Sequence, residues 1–307
     1  MKITKGKQTR AQRVVIYGVE SVGKSTFAAQ FPAPLFLDIE QGTSHLNVDR
    51  CDIGSWKQLT DALTEAKATD YKTIVIDSAD WAERLCVEDL LASTKKTSVE
   101  DFGFGKGWVM VAERMSRMLS SIDQLIDAGK NVVMIAHSKI VRFEAPDALA
   151  AYDRYELKLS KQSSPLLKEF ADELWFLRFK TKVSTSETGK GKGIGGKERI
   201  LLTTHSAAYD AKTRSGLAEE LPLEWASVAH LFETTAQAVV AQTATPLESW
   251  AGRLAEHEGA VNQFLLARGV LTSEQTWRDC APEYLERVAV RVDQFINTAI
   301  EWRAANK

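Results

Sequence analysis

The chain alternates between short apolar segments rich in β-branched residues and longer segments with one apolar face. Apolar runs predict strands at Val14–Tyr17, Leu35–Ile39, Thr73–Asp77 and Asn131–Ala136. Helix-length segments lie between them, at Lys24–Gln30, Ser55–Ala68 and Val109–Ala128. Short strands that are apolar throughout are typical of a parallel sheet covered on both faces. The pattern therefore predicts an α/β layered domain with a mostly parallel central sheet.

The pattern changes in the second half of the chain. Further strands are predicted at Tyr155–Ser160, Leu174–Val183 and Arg199–Thr204. The last two flank a segment rich in Gly, Lys and Ser, so we expect a long hairpin with a mobile tip at about residues 184–198. After Pro222 apolar residues recur at helical spacing, at Leu285, Val288, Val292, Phe295, Ile296 and Ala299. We therefore expect a core domain over residues 1–221 and a helical C-terminal region over residues 222–307.

Composition narrows the class of protein. The 307 residues are 44% hydrophobic and 26% charged, with a net charge of −2, so any basic binding surface must be local. The three cysteines, Cys51, Cys86 and Cys280, form no close pair, which argues against a disulfide framework or a Cys-rich zinc site. The first apolar run is too short for a signal peptide or a membrane span, so we expect a cytoplasmic protein with no membrane partner.

A phosphate-binding pattern lies between the first predicted strand and the first predicted helix. Gly18-x-x-x-x-Gly23-Lys24-Ser25 is the P-loop pattern, in which glycines let backbone N–H groups point at an anion. Lys24 would reach the β- and γ-phosphates, and the Ser25 hydroxyl would bind Mg²⁺. The sequence therefore predicts an ATP and Mg²⁺ site. The expected cofactor-binding residues are Gly18, Val19, Glu20, Ser21, Val22, Gly23, Lys24, Ser25 and Thr26.

Three carboxylates at strand ends are candidates to complete this site. Asp77 ends an apolar strand, where it would hold Mg²⁺ partly through water; a helix-capping role is the alternative. Hydrolysis also needs a group that orients or deprotonates the attacking water. Asp38 and Glu40 follow the second predicted strand, and either could point at the γ-phosphate.

The order of these motifs resembles a known family. "GVESVGKSTF", "FLDIE" and "IVIDS", followed by an apolar strand with a polar end, resemble the RecA-like recombinase core. "EDFGFGKGW", "IAHSKIVRFEAP" and "LLKEFADELWFLRF" resemble phage-encoded P-loop ATPases with a shortened RecA-type core, some of which act in single-strand annealing or recombination. The resemblance covers about residues 10–220. It implies a RecA-like P-loop NTPase fold with ATPase activity.

The resemblance also implies roles for individual residues. Glu40 matches the glutamate that activates water, and His137 or Ser138 stands where a γ-phosphate sensor, usually Gln, is found. His137 could equally be an ordinary strand-end histidine. Lys212 and Arg214 resemble the finger pair that reaches the neighbouring subunit's γ-phosphate, which implies a homo-oligomer, either a ring or a filament. A solvated basic turn is the alternative for this pair.

Two loops and one strand end are candidates for binding nucleic acid. Residues 93–108 combine lysines, including Lys106, with three aromatic residues, as binding of single strands requires; a loop anchored to the core is the alternative. The cationic hairpin tip contains Lys190 and Lys192. The resemblance adds the segment after the sensor strand, with Lys139 and Arg142.

These expectations leave more than one function open. The first is a phage ATPase in the bacterial cytoplasm that acts on single-stranded DNA in recombination, annealing or replication, with a single-strand DNA-binding protein as a candidate partner. The alternatives are a helicase or helicase-loader motor and a regulatory P-loop ATPase with a protein client.

Overall fold

The computed structural model describes residues 5–6, 10–144, 150–185, 191–232, 254, 257–273, 275–281, 284–285, 288 and 292–306, with the backbone alone at 181–185, 191–195 and 293. The chain divides into two compact units. The first comprises Met1–Thr235 and the second Ala236–Lys307.

The first unit alternates strands and helices. Its strands are β1 Arg13–Gly18, β2 Pro34–Asp38, β3 Asp49–Asp52, β4 Thr73–Asp77, β5 Asn131–Phe143, β6 Tyr152–Leu157, β7 Glu173–Thr185, β8 Gly191–Leu202 and β9 Glu220–Pro222. Its helices are α1 Lys24–Ala28, α2 Trp56–Glu65, α3 Ala79–Thr94, α4 Lys106–Asp127 and α5 Ser163–Phe170.

The strands form one sheet in the order β3-β2-β4-β5-β1-β7-β8-β9, and β6 pairs with the end of β5. Strands β1, β2, β3, β4, β5 and β7 are parallel, whereas β8 and β9 add antiparallel strands at one side. The register places Gly18 beside His137 and Asp38 beside Asp77. The predicted fold class, a RecA-like α/β domain with a mostly parallel sheet and flanking helices, is confirmed.

Alternate residues of the central strands point to opposite faces of the sheet. In β1, Val15 and Tyr17 are buried with residues of α2, α3 and α4, while Val14 and Ile16 are buried with Phe27 of α1. Both faces are therefore covered, which explains why these strands are apolar throughout. The apolar face predicted for α4 is also buried, at Met115, Met118, Leu119, Ile122 and Leu125.

Helix α3 did not emerge from the hydrophobic pattern. Its buried residues are Ala79, Ala82, Glu83, Leu85, Cys86 and Leu90. Glu83 is also buried, and the cost of burying its carboxylate is offset by hydrogen bonds from the backbone N–H and the hydroxyl of Ser160. Alanines and a carboxylate make up half of this buried face and lower its hydrophobic contrast with the rest of the helix, so its periodicity is weak.

The hairpin and the boundary of the first unit differ from the sequence-based expectation. Strands β7 and β8 pair as far as Thr185 and Gly191, so much of the predicted tip at 184–198 is strand, and only 186–190 lie outside the described residues. Ladder hydrogen bonds join backbone groups, so a segment poor in apolar side chains can still pair.

The first unit also extends past residue 221, because Leu223, Val228 and Phe232 are buried against Phe31.

The second unit is helical in the parts that the structure describes. It contains α6 Glu258–Ala267 and α7 Val292–Ala305. The residues predicted to form its apolar face lie in one hydrophobic cluster: Leu285, Val288, Val292, Ile296 and Ala299 are buried, and Phe295 packs against them.

None of the helices in the described part of the chain has the length and apolar character needed to cross a membrane.

We predict that Glu173→Ala strongly destabilises the first unit. Glu173 is fully buried and accepts hydrogen bonds from the Trp175 indole, the backbone N–H groups of Arg214 and Ser215, and the Ser215 hydroxyl. Its removal leaves these donors without an acceptor, at a cost of about 3 kcal/mol in the free energy of unfolding. Urea unfolding followed by tryptophan fluorescence measures the loss.

The matched control is Glu169→Ala on α5, whose side chain is exposed. We expect a change of less than about 0.5 kcal/mol for this variant. Equal stability of the Glu173→Ala and Glu169→Ala proteins would contradict the role assigned to the buried carboxylate.

Candidate functional site

The phosphate-binding loop lies at the carboxyl edge of the sheet, between β1 and α1. Its two glycines are required by the local geometry. A Cβ at Gly18 would lie 2.1 Å from the carbonyl oxygen of Leu177, and Gly23 has a φ of +99°, a conformation that other residues rarely adopt. The backbone therefore curls closely over β7 and turns directly into α1. This is the strand–loop–helix context that a P-loop requires.

Lys24 is the central cation of the loop. Its side chain is 8% exposed, and Nζ donates to the carbonyl oxygens of Gly18 at 3.2 Å and Val19 at 3.0 Å. Burial lowers the pKa of Lys24, and the carboxylates of Asp77, Asp80, Glu40 and Glu20 oppose that shift. The ammonium is thus held inside the curl of the loop, where an anion would meet both it and the backbone N–H groups.

Ser25 and Asp77 meet although they are far apart in sequence. The Ser25 hydroxyl donates to Oδ2 of Asp77 at 2.6 Å. Asp77 is 5% exposed, and burial raises its pKa to about 6 despite the hydrogen bond from Ser25. A hydroxyl and a carboxylate at contact distance beside a phosphate-binding loop are the oxygen ligands that Mg²⁺ uses together with phosphate oxygens.

The structure separates Asp38 from Glu40. Asp38 is 2% exposed and accepts hydrogen bonds from the backbone N–H groups of Gly42 and Thr43 and from the Thr43 hydroxyl. These hydrogen bonds hold the turn after β2, and almost none of Asp38 is exposed. Glu40 is 31% exposed and accepts from the Ser78 hydroxyl at 3.5 Å. Glu40 is therefore the carboxylate of this pair that is able to approach a bound water.

His137 lies between two carboxylates at the same edge. Its Nδ1 is 3.0 Å from Oδ2 of Asp80, and its Nε2 is 3.8 Å from Oε1 of Glu40. The hydrogen bond to Asp80 raises the pKa of His137. Asp80 did not emerge from the sequence, although its place in the first turn of the helix after Asp77 was a usable signal. Ser138, the other sensor candidate, lines a neighbouring cleft of about 790 Å³ with Val19 and Glu20.

Arg199 also contacts the phosphate-binding loop, and the sequence did not predict this contact. It comes from β8, and its Nη1 donates to the carbonyl oxygen of Val22 at 3.3 Å. The same nitrogen would lie 2.6 Å from a Cβ at Gly23. In the sequence Arg199 is one of many cations of the hairpin, and only the pairing of β7 with β8 brings it to the loop.

Lys212 and Arg214 lie at the amino-terminal edge of the sheet, opposite the phosphate-binding loop. Lys212 pairs with Leu174 at the start of β7, and its Nζ donates to the carbonyl oxygen of Lys168 at 2.7 Å. Arg214 donates to Asp172 at 2.6 Å. Both side chains thus have partners within their own chain, and their role toward a neighbouring subunit stays a prediction.

The loop over residues 93–108 is partly anchored and partly free. Phe102 and Trp108 pack against the hydrophobic core, as the alternative interpretation expected. Phe104 is fully exposed, with Lys106 beside it. A φ of +48° at Phe104 between two glycines with positive φ shows a turn that presents this ring outward.

The remaining candidates for binding nucleic acid differ in whether their charged groups already have partners within the chain. Lys139 donates to the carbonyl oxygen of Leu159 at 2.6 Å, so its ammonium is engaged within the chain. Arg142 is 66% exposed and lies 3.7 Å from Asp153. Lys190 lies outside the described residues, and only the backbone of Lys192 is described.

The arrangement fits a nucleotide with Mg²⁺ better than a metal held by protein alone. Within the described residues no three His, Cys, Asp or Glu side chains form a group that could bind a metal ion. Ser25 and Asp77 supply two oxygen ligands, and the curled loop with Lys24 supplies the phosphate contacts. Nucleotide phosphates would complete the Mg²⁺ coordination, as is usual for this ion.

The fold and the site define a P-loop protein with a RecA-like α/β core. The chain belongs to the AAA domain family, whose model matches residues 10–215.

The chain is also similar to two known proteins. The SPbeta prophage-derived uncharacterized protein YorG of Bacillus subtilis is 30% identical over 137 residues, which cover 41% of this chain and 40% of that protein. The match thus spans less than half the length of this relative. A KaiC-like protein from the archaeon Pyrococcus horikoshii has 15% sequence identity and a TM-score of 0.39, covering 69% of this chain and 85% of that one.

We predict that Asp77→Asn stabilises the protein when Mg²⁺ and nucleotide are absent. Burial raises the pKa of Asp77 to about 6 in the folded state, against an ordinary value of 3.8, so the native state binds more protons between these values. Stability therefore falls as the pH rises through that window. Asparagine removes this loss, which is on the order of 2–3 kcal/mol at neutral pH.

Thermal unfolding in EDTA at several pH values between about 4 and 7.5 tests this expectation. The advantage of Asp77→Asn over the wild-type protein should grow with pH. Asp61→Asn, which removes an exposed carboxylate paired with Lys57, is the control and should show no such growth. A difference that does not depend on pH would contradict the pKa assigned to Asp77.

Proposed function

We propose that this protein binds ATP with Mg²⁺ and hydrolyses it. The observation that carries the proposal is the Ser25–Asp77 hydrogen bond beside the loop that holds Lys24, at the same edge as Glu40. Lys24 and the loop N–H groups would bind the β- and γ-phosphates, and Ser25 and Asp77 would hold Mg²⁺, which neutralises charge on the phosphates.

Glu40 is the proposed general base. It has the exposure and position to accept a proton from a water that attacks the γ-phosphate, whereas Asp38 is committed to its turn. His137 lies 3.8 Å from Glu40 and is the last residue of β5 that pairs with β1, where a sensor of the γ-phosphate would sit. Membership of the AAA domain family supports nucleotide use by this chain.

We further propose that the ATPase serves a phage function on single-stranded DNA, in recombination, annealing or replication. The prophage origin of its Bacillus subtilis relative supports the phage context. The exposed Phe104 ring beside Lys106 supports single-stranded DNA as the substrate, because aromatic rings stack on bases and lysines neutralise phosphates. Arg142 is a second exposed cation for the strand. A single-strand DNA-binding protein remains a candidate partner.

A homo-oligomer, as a ring or filament, is part of the same proposal. Arg214 remains 55% exposed beyond its ion pair with Asp172, so its guanidinium has surface left for a contact with a neighbouring subunit. Placed at the edge opposite the phosphate-binding loop, Lys212 and Arg214 would meet the loop of another copy in a head-to-tail assembly.

We predict that Glu40→Gln binds ATP with Mg²⁺ as tightly as the wild-type protein but hydrolyses it about 100-fold more slowly or worse. Only the proton acceptor is lost, and general base catalysis contributes about 10²–10⁴-fold. Nucleotide binding measured by fluorescence and phosphate release measured under saturation separate the two effects.

Two further variants serve as comparisons for Glu40→Gln. Lys24→Ala should lose binding itself, because the phosphate contact is removed. Asp38→Asn should lower the thermal midpoint while the correctly folded fraction keeps its turnover rate. If Asp38→Asn rather than Glu40→Gln abolished turnover in folded protein, the base would be Asp38.

We predict that Phe104→Ala weakens binding of an oligothymidylate about tenfold, since stacking contributes about 1–3 kcal/mol per base. Val109→Ala is the matched control, because Val109 is an exposed apolar residue of the same region without a ring. Fluorescence anisotropy of a labelled oligonucleotide gives both affinities, and the ATPase rate is measured with and without the DNA.

The same measurements separate the alternative functions. Strand annealing without unwinding supports the proposed role, whereas unwinding of a duplex would favour a helicase or helicase-loader motor. A wild-type protein that hydrolyses ATP but neither binds nor responds to single-stranded DNA would favour a regulatory ATPase with a protein client.

A further inference from the structure

Asp80 contacts both the backbone and the ring of His137. The backbone N–H of His137 donates to Oδ1 of Asp80 at 3.1 Å, and the ring Nδ1 lies 3.0 Å from Oδ2. The Asp80 side chain is 8% exposed. One carboxylate thus holds both the backbone and the ring of the last residue before β5 leaves the parallel sheet.

The chemistry of the carboxylate decides which ring nitrogen carries a proton. Burial is the largest influence on the pKa of Asp80 and acts to raise it. The hydrogen bonds and the charge of His137, together with a hydrogen bond from Ser78, jointly outweigh burial, so the pKa of Asp80 lies below its ordinary value. An ionised carboxylate only accepts hydrogen bonds, so Nδ1 must be the donor. The other nitrogen, Nε2, is consequently the one that faces Glu40, at 3.8 Å from Oε1.

Only a protonated ring is able to donate from Nε2 to Glu40, because the neutral ring with Nδ1–H presents a lone pair there. The charged groups that face His137 are Asp80 from α3, Glu40 from the segment after β2, and Lys24 from α1. Two of the three are carboxylates and favour the protonated ring, while Lys24 opposes it.

We propose that Asp80 is a positioning residue that holds His137 in the charged form, with its Nε2–H facing the Glu40 carboxylate. This inference rests on the proposed function, in which Glu40 activates water. The Ser78 hydroxyl lies 3.5 Å from one oxygen of Glu40, and a charged His137 at 3.8 Å from the other would favour this orientation of the carboxylate. Asp80 itself touches neither nucleotide nor water in this scheme. It acts through the imidazole, as carboxylates behind functional histidines do.

The coupling between Asp80 and His137 is measured first in nucleotide-free protein by NMR. The ring signals of His137 are identified by their absence in His137→Gln. Asp80→Asn should move the titration midpoint of His137 to lower pH by about one unit or more, because an adjacent opposite charge is removed. Asp89→Asn, which removes a carboxylate of the same helix paired with Arg114, should leave the midpoint unchanged. An unchanged midpoint in Asp80→Asn would overturn the proposal.

A second measurement needs no substitution and therefore survives a variant that does not fold. Above its midpoint in the wild-type protein, the neutral His137 ring should carry its proton on Nδ1, which ring ¹⁵N chemical shifts distinguish. A ring with its proton on Nε2 would overturn the proposal.

Hydrolysis supplies the functional test. Asp80→Asn should lower kcat about tenfold, as is typical when a carboxylate behind a functional histidine is removed, with little change in KM. The decline of kcat as His137 loses its proton should move to lower pH. In the His137→Gln background, Asp80→Asn should cause no further loss, and multiplicative losses would overturn the proposal. If the wild-type protein does not hydrolyse ATP, the proposed function fails, whereas the NMR titration still decides the Asp80–His137 coupling.

Discussion

Parallel pairing of β2, β4, β5 and β1 is the constraint on which the rest of the structure depends. Because these strands run in one direction, their carboxyl ends share an edge of the sheet, and the register there aligns Gly18 with His137 and Asp38 with Asp77. Neighbouring strands lie about 4.8 Å apart, so residues distant in sequence come within reach of one another. The phosphate-binding loop, the Ser25–Asp77 contact and the histidine all follow from this alignment.

Burial of charge at that edge has a physical consequence. Asp77 and Lys24 are both buried at this edge. Burial raises the pKa of Asp77 and lowers the pKa of Lys24, and each shift favours the uncharged form of the group. Neither group is therefore in its most stable environment in the protein alone. A divalent cation and phosphate oxygens would restore favourable partners to both, which is the arrangement expected where function is favoured over stability.

The carboxylates at this edge of the sheet differ in the hydrogen bonds that they accept. Asp38 receives two backbone N–H groups and a hydroxyl and supports a turn, whereas Asp80 receives two donors from His137. Glu40 keeps exposure, accepts a hydrogen bond from the Ser78 hydroxyl and faces the His137 ring. Three acidic residues near one loop thus have three different roles, and their hydrogen-bond partners rather than their residue type distinguish them.

Local patterns in the sequence determined the strands, the phosphate-binding loop and the candidate role of Asp77, because glycine conformation and apolar periodicity depend on neighbouring residues. The tertiary structure alone decided that Asp38 supports a turn while Glu40 keeps exposure, and that Lys139 and Arg199 are engaged within the chain. It also decided that Lys212 and Arg214 lie away from the loop. It also brought Asp80 to His137, 57 residues away. These outcomes depend on strand register and on burial, which set distances and partners between segments that no local pattern relates.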